Sequence, residues 1–129
     1  MAILGIGTEI VEIVRIATMI ETHGEQFLER VYTADEVDYC VGSGNASLNF
    51  ATRWAAKEAA MKALRCRRQG VRWNEIELEV RPAEGPVIVL HGTAAEVAMR
   101  NDVEKLHVSL GGCRTHATAY VIATDDEVM

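Results

Sequence analysis

The chain predicts an α+β domain, in which a mainly antiparallel sheet packs on one long helix accompanied by short ones. Three observations predict it. Residues 75–80, EIELEV, alternate acidic and apolar side chains with a period of two, the pattern of a half-buried strand. The stretch RWAAKEAAMKAL, residues 53–64, consists almost wholly of good helix formers. The closing residues 104–112 and 115–124 read as two strands joined around GGCR, a hairpin.

The elements follow in order. Residues 2–13, AILGIGTEIVEI, mix small, β-branched and polar residues and predict a first strand, and Gly5 and Gly7 mark a close backbone approach or a bulge. Residues 14–24 carry apolar side chains at Val14, Ile16, Met19 and Ile20 before Gly24, predicting a short helix with a glycine stop. Residues 25–32 predict a second. Thr33 with Glu36 three positions later is a capping-box pattern that opens a third. Residues 41–47, VGSGNAS, read as a loop, and the long helix runs over about 47–64. After the strand at 75–80, RPAEGP makes a turn and 87–92 a strand. Residues 93–101 predict a helix capped by Thr93.

At 129 residues, with 49% hydrophobic and 25% charged, the chain predicts one globular domain spanning 1–129. No apolar run approaches the roughly 20 residues of a membrane helix, and MAILGIGTEI lacks the basic start of a signal peptide. The expectation is a cytoplasmic protein without a membrane partner. Cys40, Cys66 and Cys113 are widely spaced, which disfavours a zinc site. The net charge of −6 disfavours nucleic acid. Yet Arg53, Lys57, Lys62, Arg65, Arg67, Arg68 and Arg72, seven of thirteen cations, fall within twenty residues around a single acid, Glu58. Such an island suits a phosphorylated small molecule or an acidic protein, or more plainly a solvated helix end.

At about 100° per residue, Phe50, Trp54, Met61 and Leu64 define an apolar stripe on the long helix, with Glu58 at its edge. Lys62, one turn on, offers Glu58 a salt bridge. A divalent cation is the alternative, with Glu9 as a second carboxylate and Glu12 as its rival. Two carboxylates completed by phosphate oxygens and water suit magnesium.

The motifs also carry a resemblance. GIGTEIVEI resembles G-I-G-x-D-I-x-E-I, RVYTADEVDYC resembles R-x-[YF]-T-x-x-E-x-x-Y-C, and FATRWAAKEAAMKAL resembles F-x-A-R-[WF]-A-A-K-E-A-x-x-K-A-[LM]. LHVSLGGCRTHATAYVIA resembles a closing V-S-I-S-H segment. Together, nearly end to end, they resemble the holo-acyl-carrier-protein synthase type of 4′-phosphopantetheinyl transferase. The resemblance implies that fold and a homotrimer whose active sites are shared between subunits. It implies transfer of 4′-phosphopantetheine from coenzyme A to a serine of an apo acyl carrier protein, with magnesium held by Glu9 and Glu58. It makes Glu58 and Lys62 catalytic, assigns Arg53, Lys62, Gly85, Pro86 and Ser109 to coenzyme A, and turns Arg15 toward the carrier protein.

Three positions depart from the pattern. Glu9 stands where the family usually has Asp, Gly112 where it has His, and GSGNAS where it tends to carry Lys or Arg before the long helix. Arg114, His116 or the Arg67, Arg68 and Arg72 cluster are the candidate substitutes. A non-catalytic or specialised paralogue that binds a carrier protein or coenzyme A is the alternative reading.

Overall fold

A computed structural model describes residues 1–125. Strand β1 (Ile3–Glu12) leads into helices α1 (Ile13–His23), α2 (Glu25–Val31), α3 (Ala34–Gly42) and α4 (Ala46–Leu64). A 3-10 turn at Trp73–Glu75 precedes β2 (Ile76–Arg81), β3 (Gly85–Leu90), α5 (Gly92–Arg100), β4 (Lys105–Gly112) and β5 (His116–Thr124). All strand pairing is antiparallel, as expected, but it is divided. β1, β5 and β4 form one sheet in the order β1-β5-β4, and β2 and β3 form a separate ribbon.

Helix α4 packs across β1 and β5 and forms the centre of the molecule. Of the expected apolar stripe, Phe50 and Leu64 are buried, but most of the buried face is alanine. Trp54 and Met61 stay partly exposed, while Ala51, Ala55, Ala56, Ala59, Ala60 and Ala63 are buried. Backbone proximity decides this. A Cβ on Gly5 would lie 1.9 Å from the Ala63 carbonyl oxygen, and one on Gly7 would lie 1.8 Å from that of Ala59. Only hydrogen fits at those two positions, and only small side chains fit on the facing helix. Both readings of these glycines hold, since β1 also carries a register irregularity between Ile3 and Gly5.

Three local expectations are corrected. The 41–47 segment is mostly helical, because α3 continues to Gly42 and Asn45 caps α4, its Oδ1 accepting from the Leu48 N–H at 3.2 Å. Thr93 does not cap α5 with its side chain. Its N–H donates instead to Glu75 Oε2 at 3.0 Å, so the cap comes from the 3-10 turn. In β2 the alternation does not separate core from solvent, because Glu77 is buried and Val80 exposed. Glu77 tolerates burial because Thr33 Oγ1 donates to it at 3.1 Å and the His91 ring meets it at 2.8 Å. The Thr33–Glu36 capping box and the hairpin around GGCR form as expected.

The strand–helix approach makes a stability prediction. Gly7→Ala is expected to lose about 3 kcal/mol or more, the upper end of overpacking costs. Gly44→Ala, with open space around it, is expected to change stability by less than about 1 kcal/mol. Urea unfolding midpoints of the two variants check this, and an unshifted midpoint for Gly7→Ala contradicts the packing described.

Candidate active site

Gly5, Gly7, Glu9 and Val11 share the face of β1 turned toward α4. One step from Gly5 to Gly7 moves the facing helix residue from Ala63 back to Ala59, so strand and helix run in opposite directions. The next step, to Glu9, continues toward the N-terminal half of α4. Glu58 and Lys62 lie one turn apart on a single flank of that helix. Lys62 Nζ donates to Glu9 Oε1 at 2.6 Å and to the Thr8 carbonyl at 2.8 Å. Glu9 and Lys62 are thereby brought into contact, Glu58 precedes Lys62 by one turn on α4, and Glu12 lies exposed at the strand end.

Glu58 is only 14% exposed, and its partners are specific. The Trp73 indole N–H donates to Glu58 Oε2, and Arg67 Nη2 stands 4.0 Å from Oε1. The salt bridge expected between Glu58 and Lys62 is not the one that forms, because Lys62 turns to Glu9 and Thr8. Among the described residues, no group of three or more His, Cys, Asp or Glu side chains clusters for a metal. The side-chain oxygen donors proposed for this region are the carboxylates of Glu9 and Glu58, with the Thr8 carbonyl beside Glu9. That set fits a hard cation that takes its remaining ligands from phosphate and water, and it suits no thiolate- or imidazole-preferring metal.

On another side of α4, Lys57 is fully buried. Its ammonium bonds Glu36 Oε1 at 2.6 Å, the Ile76 carbonyl and, at 3.3 Å, the Trp73 carbonyl. Burial pushes its pKa down and Glu36 pulls it back up. Glu36 also accepts from the Thr33 N–H at 2.9 Å and the Leu78 N–H at 2.9 Å. One capping carboxylate thus ties α3, α4 and β2 together. The capping box was legible in the sequence; the partner on α4, twenty-one residues on, was not.

Arg53 is 2% exposed. Its guanidinium lies 4.3 Å from the Tyr39 ring centroid, and its Nε has no hydrogen-bond partner among the described residues. It borders a cleft of about 290 Å³ with Tyr39, Leu78, Val80 and Arg81. Gly85 and Pro86 pair with Arg81 and Val80 across the β2–β3 ribbon, so these three expected ligand residues are neighbours on a flank separate from Glu58. Ser109 is exposed beside Tyr120 on the sheet face turned away from α4. Within the chain it joins neither group. Arg15 is exposed on α1.

The departures are also placed. A Cβ on Gly112 would meet Leu48 Cδ1 at 3.3 Å, so a larger residue there requires Leu48 to move. Both line a cleft of about 500 Å³ bordered by Asn45, Asn49, Thr52 and Arg114. Arg114 is the substitute that faces this cleft, whereas the His116 ring meets Thr115 Oγ1 at 2.8 Å. Of the thiols, Cys40 and Cys66 are buried; burial pushes Cys40 up to about 11 and Cys66 upward too, as inert core groups. Cys113 is exposed, and hydrogen bonds from Thr115 lower its pKa.

Comparison with known proteins decides the family. A model of the 4′-phosphopantetheinyl transferase superfamily matches residues 5–124. The chain belongs to that superfamily. This transferase is 56% identical to a holo-[acyl-carrier-protein] synthase of Rhodopirellula baltica over 97% of the chain and 100% of the relative. It is 44% identical to another from Koribacter versatilis over 95% of the chain and 99% of the relative. A solved Helicobacter pylori holo-[acyl-carrier-protein] synthase in complex with coenzyme A superposes with a TM-score of 0.80 at 28% identity, covering 92% of this chain and 99% of that one. An ACPS–CoA complex from Chronobacterium ammoniagenes gives 0.82 at 26% identity, covering 98% and 100%.

The transferase's cations do different work, and unfolding separates them. Lys57→Met strands Glu36 without its charge partner and is expected to cost about 3–5 kcal/mol. Lys62→Met, at a site open to solvent, is expected to cost less than about 1 kcal/mol. Equal destabilisation by the two in guanidinium titrations contradicts this division.

Proposed function

We propose that this chain transfers 4′-phosphopantetheine from coenzyme A to a serine of an apo acyl carrier protein, releasing adenosine 3′,5′-bisphosphate. The observation that carries the reading is the Lys62–Glu9 contact, one helical turn from Glu58, in a chain that matches holo-[acyl-carrier-protein] synthases over nearly its whole length. The serine Oγ attacks the β-phosphorus of the pyrophosphate. The new bond forms there, the bond from that phosphorus to the bridging oxygen breaks, and adenosine 3′,5′-bisphosphate departs with that oxygen. The serine proton goes to a carboxylate of the site or to water. Positioning and charge neutralisation carry most of such catalysis.

Glu9 and Glu58 would hold magnesium. When bound, that ion supplies Lewis-acid activation of the pyrophosphate. Lys62 has a flexible stem and an accessible ammonium, and it is the cation of this chain able to swing from Glu9 to a phosphate oxygen. Arg53 would receive a polar group of coenzyme A, a role supported by its unpartnered Nε beside the cleft. Gly85 and Pro86 would border the same ligand, through the ribbon they share with Val80 and Arg81. Ser109 would contact coenzyme A from a neighbouring subunit.

The homotrimer is supported by the outer sheet face. Ile6 is 60% exposed, Ile10 61% and Tyr120 57%. Thr8 pairs with Tyr120 and Ile6 with Ile122 across β1 and β5, so these side chains form one apolar surface, of the kind that marks a protein interface. Arg15 would meet the carrier protein, with the exposed arginines of 65–72 adding positive potential near Glu58. No helix among the described residues is long and apolar enough to cross a membrane, which is compatible with a cytoplasmic site of action.

The test is mass spectrometry of an apo carrier protein incubated with the enzyme, coenzyme A and magnesium. A phosphopantetheine mass gain on the carrier serine is expected. Glu58→Gln is expected to lower the transfer rate by at least about a hundredfold while the trimer persists in analytical ultracentrifugation. Unchanged turnover in that variant refutes the assigned role of Glu58.

A further inference from the structure

Glu58 is held by a donor that the reaction itself does not call for. Its Oε2 accepts from the Trp73 indole N–H. Its other neighbour, Arg67, is 4.0 Å from Oε1 and 69% exposed, too long for a hydrogen bond and open to screening. We propose that Trp73 is the positioning residue that fixes the Glu58 carboxylate for cation binding, an inference that rests on the reading of Glu58 as a metal ligand.

The chemistry of the donor favours this role. Indole N–H is a donor only, and it is neutral. It takes up one lone pair and limits rotation of the carboxyl group, yet leaves the negative charge in place for a cation. An arginine or lysine at the same spot would orient the group but cancel that charge. Partners of this kind orient metal ligands in general.

The turn that carries Trp73 is pinned from several directions, as a positioning device requires. The buried Lys57 ammonium donates to the Trp73 carbonyl at 3.3 Å. Asn74 Nδ2 donates to the Glu29 carbonyl of α2 at 3.1 Å. The Glu75 carboxylate accepts from the Arg72 N–H at 2.9 Å and from the Thr93 N–H of α5 at 3.0 Å. The His91 N–H donates to the Glu75 carbonyl at 2.8 Å. Three helices, α2, α4 and α5, thereby hold the turn from which the indole reaches Glu58. The stability network of Lys57 and the candidate site are joined at residue 73.

Manganese binding measures the effect without turnover. Mn²⁺ bound to the protein in the presence of coenzyme A is counted by electron paramagnetic resonance. Trp73→Phe keeps the ring and removes the N–H, and it is expected to weaken Mn²⁺ binding about tenfold with the circular dichroism spectrum unchanged. Glu58→Gln is expected to abolish specific binding. Full affinity in Trp73→Phe alongside loss in Glu58→Gln overturns the positioning role and leaves the metal reading standing. Full affinity in both overturns the metal reading and the positioning role with it.

A second measurement does not depend on altering Trp73. The chain has two tryptophans, so Trp54→Phe makes Trp73 the sole emitter. Saturating Mg²⁺ with coenzyme A is expected to shift its emission, and Trp54→Phe combined with Glu58→Gln is expected to lose that shift. An emission spectrum of the single-tryptophan protein indifferent to Mg²⁺ overturns the proposal.

Discussion

The contact between β1 and α4 is the constraint on which the molecule depends. Two hydrogens, at Gly5 and Gly7, take the space in which any side chain would collide with helix carbonyls. Alanines on the opposing helix complete the fit. Dispersion rises steeply as surfaces close, so small residues on both sides yield dense packing where large ones would hold the elements apart. The same closeness brings Lys62 within reach of Glu9 and the Thr8 carbonyl. Packing and the candidate site are therefore linked: the residues that let the helix settle on the strand also bring Lys62 to Glu9.

The concentration of cations around one glutamate resolves into separate duties. Lys57 serves the structure, fully buried and joined to Glu36 and two carbonyls. Arg53 is buried too, but its Nε lies beside a cleft without a partner among the described residues. Lys62 remains accessible, held by Glu9. The arginines of 65–72 are exposed. Glu58, on the flank of a buried helix, accepts from a neutral indole N–H, with Arg67 4.0 Å away.

Much of this was legible in the residues. Turn chemistry and periodicity placed nearly every element, because glycine stops and capping residues act locally. The close approach of the Glu9 strand to the long helix was legible in the paired glycines, but the Glu9–Lys62 contact was not, because Lys62 was expected beside Glu58. The errors have a common cause. The apolar stripe on α4 placed Phe50 and Leu64 in the core correctly but missed the alanines that backbone proximity to β1 selects. Glu77 was assigned to solvent by alternation, whereas Thr33 and His91, distant in sequence, satisfy it inside. Thr93 looked like a cap, yet Glu75 supplies the acceptor from across the fold. Trp73 carries no periodic signal at all, and its meaning lies entirely in what its ring nitrogen reaches.

Anomalous diffraction from crystals soaked in Mn²⁺ and coenzyme A addresses the central relation most directly. The account predicts one strong anomalous peak per subunit, with a Glu9 oxygen and a Glu58 oxygen both within about 2.5 Å of it. A peak touching only one of these carboxylates, or lying elsewhere on the chain, would contradict it.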